Sequence, residues 1–411
     1  MPLPFLASLY FEGLPPWFPE PLVALKYTTA AAALALTKWY TSGRLNPSER
    51  KLHGRVVILT GGTSGIGAKV AYELASRGAQ LCLLTRQPGN DPFLVDYIND
   101  LRSRTNNQMI YAEQVDLSSL YSIRQFATKW IDNAPPRRLD MIVLCAATLT
   151  TPGHARTETE EGVETEWMVN YLANFHLLGI LSPAIKAQPF DRDVRIIIPT
   201  CNSYIGAPKL EPELVGDKKG YWSPKMAYAR SKLALMVFAK SYQKHLDAYK
   251  RPDQLPMNAR VVIVDPGFAR TVGMRRWLTR GSLWGLFLYM VFYVVAWLLL
   301  KSPNMAAQSI MFAAMDGSLL RGTGGKLIKE CMEIDCARKD VEDEEVAKKL
   351  WEESDKLVEK TEKAAAIKRA REKKEREERE KVEEIESLVE TIKKGKAKEG
   401  GKKKKAEKAA K

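Results

Sequence analysis

Tyr228 and Lys232 stand four residues apart in Tyr228-Ala229-Arg230-Ser231-Lys232. About 160 residues upstream runs Thr60-Gly61-Gly62-Thr63-Ser64-Gly65-Ile66-Gly67. Residues four apart on a helix share a face, so a phenol and an ammonium would lie side by side. A free tyrosine titrates at about 10; a neighbouring ammonium, together with the positive ring of a nicotinamide, would stabilise the phenolate and draw that value toward neutrality. Such a phenol can give a proton to a carbonyl oxygen, or take one from an alcohol. The glycine run has a different use. Without side chains the backbone turns tightly and approaches a pyrophosphate, whose charge meets the free N–H groups of the following helix. Either motif alone recurs by chance. In this order, with strand-like and helix-like segments between them, they point to a nicotinamide-dependent oxidoreductase.

The elements that must position these residues follow from the hydrophobic pattern. Short apolar runs rich in β-branched residues occur at Val56–Leu59, Leu81–Leu84, Met141–Leu144, Ile196–Ile198 and Val261–Val264. Amphipathic stretches at Ile66–Arg77, Ser119–Asp132, Glu160–Ser182 and Lys225–Lys250 separate them. Continuous apolar strands alternating with helices imply a parallel sheet covered on both faces, and right-handed crossovers make it doubly wound. The second strand ends Leu84-Thr85-Arg86, about twenty residues past the last glycine, where dinucleotide folds face the adenosine ribose. A carboxylate there would bind the ribose hydroxyls of NAD. Arg86 instead offers a cation to a 2′-phosphate, which favours NADP.

Composition bounds the rest. The 411 residues carry a formal net charge of +14, and 45% are apolar, enough for a full core. Residues 393–411 hold ten lysines against Glu399 and Glu407, so +8 of that charge lies in the tail. The remaining body is only mildly basic, which argues against a nucleic-acid enzyme. Five cysteines and four histidines are scattered, with no CxxC pair; neither a metal site nor a disulfide framework is expected. A cationic n-region and a small-residue cleavage site are missing from the N-terminus, so a cleaved secretory signal is not expected.

Three segments flank or interrupt the sheet pattern. Residues 1–52 open with Phe5, Tyr10, Phe11, Trp17 and Phe18, then a helix-prone run from Leu22 to Trp39 suited to spanning a membrane, lying in its interface or packing on protein. Lys26 and two threonines weaken a simple span. Leu283–Leu300 is uncharged for eighteen residues between Arg275, Arg276 and Arg280 on one side and Lys301 on the other. Because sheet-like and helical sequence resumes at Met305 and Lys326, this stretch is expected to enter one leaflet or to roof an apolar pocket. From Val341 the chain is charged and helical, and Val346, Leu350, Leu357 and Val358 can dock on the body. Val382, Ile385, Val389 and Ile392 give two turns of apolar spacing. The lysine-rich end reads as disordered, able to meet anionic lipid or an acidic partner.

On these motifs the chain resembles the short-chain dehydrogenase/reductase family, and within it the membrane-associated, retinol-dehydrogenase-like branch. The resemblance spans about residues 53–358 and leaves 1–52 and 359–411 as appendages. It implies a single Rossmann domain with NADP(H) held by Gly61, Thr63, Ser64, Gly65, Ile66, Gly67 and Arg86. Asp116-Leu117 resembles the family's adenine pocket, and Ala146 keeps the small volume found after its fourth strand. Asn170, in Val169-Asn170-Tyr171-Leu172, matches the helix asparagine that holds a proton-relay water. Pro266, Gly267 and Thr271 match the stretch around the nicotinamide amide, and Lys301-Ser302-Pro303 and Lys349-Leu350-Trp351-Glu352 look like closing elements. Tyr228 and Lys232 would then be the acid/base and its partner, with Lys232 also on the nicotinamide ribose.

Two positions depart from the family pattern. Leu144-Cys145-Ala146-Ala147 replaces the usual NNAG, removing an amide that braces the strand. The substrate-polarising serine is either Ser203, counting back twenty-five residues from Tyr228, or is replaced by Cys201, counting from the strand start. The expectation is Ser203, with Pro199 marking an irregular strand end that absorbs two residues. The implied activity is interconversion of an alcohol and a carbonyl on a hydrophobic, lipid-like substrate. The alternative is a weak or inactive member serving as a membrane-associated, cofactor-binding scaffold. Lys38, Arg44, Arg50 and Lys51 follow the first apolar helix and only Lys26 precedes it, so the catalytic body is expected on the cytosolic side. By family likeness that means the endoplasmic reticulum membrane or a lipid droplet.

Overall fold

The computed structural model describes residues 21–133, 137–210, 222–320 and 322–409, with side chains from 22 to 381. The aromatic start of the chain and the side chains of Val382, Ile385, Val389 and Ile392 lie outside the described residues.

Eight strands form one sheet in the order β3-β2-β1-β4-β5-β6-β7-β8. They are β1 (Val56–Thr60), β2 (Gln80–Thr85), β3 (Ile110–Gln114), β4 (Met141–Leu144), β5 (Val194–Pro199), β6 (Ala259–Asp265), β7 (Lys326–Lys329) and β8 (Met332–Ile334). All neighbours pair in parallel except β7 and β8, which form an antiparallel hairpin. The five apolar runs are central strands, buried along almost their whole length. Strand order reverses between β1 and β4, which opens the crevice where doubly wound sheets bind ligands.

Helices cover both faces. On one, α2 (Gly65–Ser76), α3 (Pro92–Thr105) and α10 (Pro303–Met315) bury Val70, Leu74, Leu94, Ile98, Ile310 and Met311 against Val57, Leu59, Leu81 and Leu83. On the other lie α4 (Leu120–Ile131), α5 (Thr165–Lys186) and α6 (Pro224–Asp247). There Trp167, Tyr171, Phe175, Phe238 and Trp351 form an aromatic chain with centroid separations of 4.8–6.3 Å, a spacing that favours tilted and edge contacts. Among the described residues α5 is long and apolar enough to cross a membrane, but two-thirds of its apolar window is buried inside the protein. It is a core helix.

Helix α5 starts at Thr165, five residues later than its pattern suggests, because Glu158 and Glu164 first close a small bridge around Gly162. Its residues Met168–Leu172 form a π turn, a local widening often found at functional sites. The Leu283–Leu300 stretch is broken into α8 (Leu283–Val291) and α9 (Tyr293–Leu299) at Phe292. At 1.5 Å per residue neither piece approaches a bilayer's ~30 Å core. Helix α7 (Val272–Leu278) precedes them.

Helix α1 (Pro21–Ser42) meets the end of α9: Lys38 Nζ and Thr41 Oγ1 donate to the carbonyls of Trp297 and Leu298, each at 2.6 Å. Lys301, which ends the uncharged stretch, is buried. It pairs with Glu330 and donates to the Pro266 carbonyl at 3.5 Å. Its backbone bonds Phe268 and Arg270 as a one-residue parallel strand.

The chain forms two compact units, the second beginning at Asp355 within α11 (Glu344–Ala409). In the second unit Glu–Lys and Glu–Arg pairs four residues apart line an otherwise solvated helix. The backbone stays helical through Ala409, so the lysine-rich stretch expected to be unstructured is not.

Candidate active site

The glycine turn lies at the crevice. Gly61 (φ +66°) and Gly65 (φ +59°) adopt left-handed backbone. A Cβ on Gly61 would lie 2.8 Å from the Ala146 backbone, and one on Gly67 2.2 Å from the Gly61 carbonyl. Side chains are excluded there by contact as well as by dihedral. Ser64, at the N-cap of α2, makes no side-chain cap bond, so the first helical N–H groups are open to an anion. Tyr97 Oη fixes the turn from α3 by donating to the Gly62 carbonyl at 2.7 Å. Thr271, N-cap of α7, stands 3.4 Å from where a Gly65 Cβ would be, which closes the turn's open side. Thr63 and Ile66 line the same turn, part-exposed.

The other residues expected at a cofactor lie as follows. Arg86 is exposed just past β2. Asp116 Oδ1 accepts from the Ser118 N–H and hydroxyl and shapes the turn containing Leu117. Ala146 N donates to Thr60 Oγ1 at 3.1 Å. That threonine supplies the brace lost with the family's asparagine. Pro266 precedes Gly267 (φ +74°), whose N–H donates to Asp265 Oδ1 at 2.9 Å.

Helix α6 presents Tyr228 and Lys232 to the same crevice. Lys232 is buried, lies 5.7 Å from the Tyr228 ring centroid and donates to the Pro199 carbonyl at 3.3 Å. Asn170, fully buried in the π turn, accepts from Thr148 N at 2.8 Å and donates to the Thr148 carbonyl and Ser231 Oγ. Ser231 Oγ in turn donates to the Tyr228 carbonyl at 2.9 Å. Asn170 thus ties the loop after β4 to the helix carrying the phenol.

Two expectations need correction. First, the Tyr228 hydroxyl is held well above the usual tyrosine range, by burial first and then by the Cys201 thiol and the charges of Glu166 and Asp265. Burial likewise pushes the Lys232 ammonium down, although the Cys201 and Cys145 thiols oppose it. In the protein by itself burial outweighs the neighbouring ammonium, because both groups share one dry pocket. Second, the side chain hydrogen-bonded to Tyr228 is Cys201. Strand β5 is regular through its end: Pro199 pairs with Val264, and Thr200 N donates to the Val264 carbonyl at 2.7 Å. The two residues of slack that would have put Ser203 there do not exist, and Ser203 lies inside the 3₁₀ turn Asn202–Gly206.

The family profile described as short chain dehydrogenase matches residues 55–201. An uncharacterized oxidoreductase of Schizosaccharomyces pombe is 43% identical over 88% of this chain and 97% of its own length. Retinol dehydrogenase 13 of Mus musculus is 34% identical over 80% of this chain and 91% of its own. The chain belongs to the short-chain dehydrogenase family. Polyprenol dehydrogenase of Mus musculus, 33% identical over 74% of this chain and 84% of its own, lies in the same group of relatives.

This short-chain dehydrogenase is therefore an oxidoreductase of the alcohol/carbonyl type, retinol-dehydrogenase-like, that uses NAD(P). The residues present fit that cofactor: the cradle excludes side chains at Gly61 and Gly67, and the N–H groups of α2 are uncapped. When bound, the nicotinamide supplies or accepts a hydride. The dehydrogenase's own contribution is to hold a phenol, an ammonium and a thiol around one small space. Sequence reasoning missed Thr60, Thr148, Ser231 and Glu166. The first three act through hydrogen bonds to residues remote in the chain, which no local spacing signals. Glu166 could have been noticed as a carboxylate one turn before Asn170.

Proposed function

We propose that this protein is an NADP(H)-dependent reductase or dehydrogenase of a hydrophobic, lipid-like substrate, with Tyr228 as general acid/base. The observation carrying this reading is the convergence of Tyr228, Lys232 and Cys201 beside the glycine cradle. Tyr228 gives its proton to the substrate oxygen in reduction and takes it back in oxidation. Lys232 would hold the cofactor ribose, and an oxidised nicotinamide, when bound, would add a positive charge that lowers the phenol in the oxidation direction. Arg86, exposed past β2, favours the 2′-phosphate. Gly61, Thr63, Ser64, Gly65, Ile66 and Gly67 hold the pyrophosphate; Asp116 and Leu117 border the adenine. Ala146, Pro266, Gly267 and Thr271 border the nicotinamide end, with Asn170 fixing the loop over it.

Cys201 takes the substrate-polarising position in this reading. A thiol is a weaker donor than a hydroxyl, so Cys201→Ser is expected to raise kcat by about two- to tenfold, whereas Ser203→Ala leaves it within about twofold. Steady-state kinetics of the two variants checks this. Equal losses in both would remove Cys201 from the site.

The apolar elements support a membrane-borne substrate. Leu283, Trp284, Met290, Val291, Phe292 and Val294 are each more than half exposed, as are Leu22, Leu25 and Trp39 on α1. A groove lined by Leu34, Trp39 and Trp297 runs between α1 and α9. Thr28, Thr29 and Thr37 turn their hydroxyls back onto carbonyls four residues earlier at 2.8–2.9 Å, which removes their polar cost in lipid. Exposed apolar surface on this scale marks a membrane or partner face. We place that face on the endoplasmic reticulum membrane or a lipid droplet, with the catalytic unit in the cytosol. All five cysteines are free, consistent with a reducing compartment. The lysine-rich end would then meet anionic headgroups.

The test is kinetic, on full-length protein in liposomes. NADPH is expected to be preferred over NADH by at least ~10-fold in kcat/KM, and Arg86→Asp to reverse the preference. Long-chain isoprenoid aldehydes should outperform short polar ones. Equal use of both nucleotides by the unaltered protein would overturn the NADP assignment.

A further inference from the structure

Two cations stand on one face of α9. Lys38, from α1, donates to the Trp297 carbonyl at 2.6 Å, and its Nζ lies 4.8 Å from that residue's ring centroid. Arg270, between Gly267 and Thr271, donates from Nη1 to Tyr293 Oη at 2.9 Å and lies 5.9 Å from the Tyr293 ring centroid. Tyr293 and Trp297 are four residues apart, so they share a face and set the two cations about 6 Å apart along the helix.

Neither charge is neutralised. Among the described residues no Asp or Glu pairs with Lys38 or Arg270. An ammonium has three donors and a guanidinium five, and one carbonyl and one phenol oxygen leave most of them unused. Arg270 Nε is buried without a hydrogen-bond partner. Burial, and after it the charge of Arg270, pulls the Lys38 ammonium below the usual lysine range. An anion between the two would relieve both.

The adjoining surface is apolar. The open groove between α1 and α9 has a volume of ≈ 460 Å³; Leu34, Ala35, Trp39 and Trp297 line it together with Lys38. Trp39, Tyr40, Tyr293 and Trp297 are all exposed, and these residue types sit at headgroup level in membranes. A cation pair beside an apolar groove matches the two parts of one kind of molecule, a phosphate and a hydrocarbon chain.

We propose that Lys38 and Arg270 bind the phosphate headgroup of an anionic phospholipid, whose acyl chain lies in the groove lined by Leu34, Trp39 and Trp297. This rests on the reading of α1, α8 and α9 as a membrane face, and gives that face a lipid preference. The guanidinium offers a planar N–H edge to two phosphate oxygens, and the ammonium adds a point charge. The lysine-rich end of the chain attracts an anionic surface by charge alone, and so serves as the control.

The experiment uses the full-length protein and phosphatidylcholine vesicles with or without about 20 mol% phosphatidic acid at near-physiological salt, read by co-sedimentation. Lys38→Gln with Arg270→Gln is expected to weaken binding to the anionic vesicles about 10- to 30-fold, and to leave neutral vesicles within about twofold. Lys402→Gln with Lys403→Gln removes the same charge from the tail and should cost less than about threefold. The charge-conserving pair Lys38→Arg with Arg270→Lys should restore most of the binding. Arg270→Gln alone leaves the Lys38 and Thr41 bonds to α9 in place and should still weaken binding about fivefold, so the test survives a variant that loosens α1. Tryptophan quenching reports the chain: brominated acyl chains on phosphatidic acid should quench more strongly than the same label on an equal fraction of phosphatidylcholine, and the difference should vanish in Lys38→Gln with Arg270→Gln.

Equal losses from the groove and tail pairs would mean attraction by charge alone and overturn the site. Full competition by millimolar inorganic phosphate at matched ionic strength would assign the pair to a free anion and overturn the lipid as occupant. If the unaltered protein binds neutral and anionic vesicles equally, only the lipid site falls. If it binds neither, the membrane reading falls with it.

Discussion

Tyr228→Phe is expected to lower kcat by about 10³-fold while leaving NADPH binding and the fold intact. The ring remains to pack beside Lys232, at 5.7 Å, and only the hydroxyl is lost. Cys201, Cys145 and Lys232 are poor substitutes. The Cys201 thiol is a weak donor, burial holds Cys145 up to about 12, and Lys232 is already donating to the Pro199 carbonyl. The measurement is NADPH oxidation alongside fluorescence titration of the nucleotide. Loss of both together would mean that the phenol organises the site rather than acting in it. Retained turnover would move the chemistry to another group.

Gly67→Ala should abolish cofactor binding with a smaller effect on stability. A methyl at this position would sit 2.2 Å from the Gly61 carbonyl oxygen, a backbone atom held by the β1 end and by the neighbouring Ala146. Relief requires the turn to open. Opening breaks the alignment of the N–H groups at the start of α2 with a pyrophosphate. Losing about two such charge-assisted bonds, at about 1.5–3 kcal/mol each, weakens NADPH by at least ~100-fold. Overpacking should cost the apoprotein about 1–3 kcal/mol. Thermal melts with and without NADPH separate the two effects: the nucleotide should no longer raise Tm.

The parts of this fold that were legible in the sequence are those buried on both faces. Central strands β1, β2, β4, β5 and β6 have little choice but continuous apolar sequence, and they announced themselves. Strand β3 did not: its Ile110–Gln114 is mostly half-exposed at the sheet edge, and polar residues are permitted there. Helix α3 buries only Leu94, Ile98 and Leu101, and β7–β8 is a short hairpin around two left-handed residues, Glu330 and Cys331. Within the site, the glycine turn and the tyrosine–lysine pair were readable because each is local in sequence. The choice between Cys201 and Ser203 was not, since it depends on whether β5 ends raggedly, and Pro199 proved to be an ordinary paired residue. The burial around Tyr228 was hidden for a related reason. Spacing reveals a neighbouring charge but says nothing about how dry the pocket is.

The clasp at Lys301 has a mechanical corollary. The residue that ends the greasy double turn is stitched by its main chain to Phe268 and Arg270, and its ammonium reaches the Pro266 carbonyl and Glu330. Glu330 also receives the N–H of Arg44, just beyond α1. Both apolar elements are therefore fastened around Pro266 and Gly267, the residues that the proposed function sets at the nicotinamide end. On that reading, free energy that a bilayer puts into shifting them would be felt by a bound dinucleotide, and linkage would require the converse in equal measure.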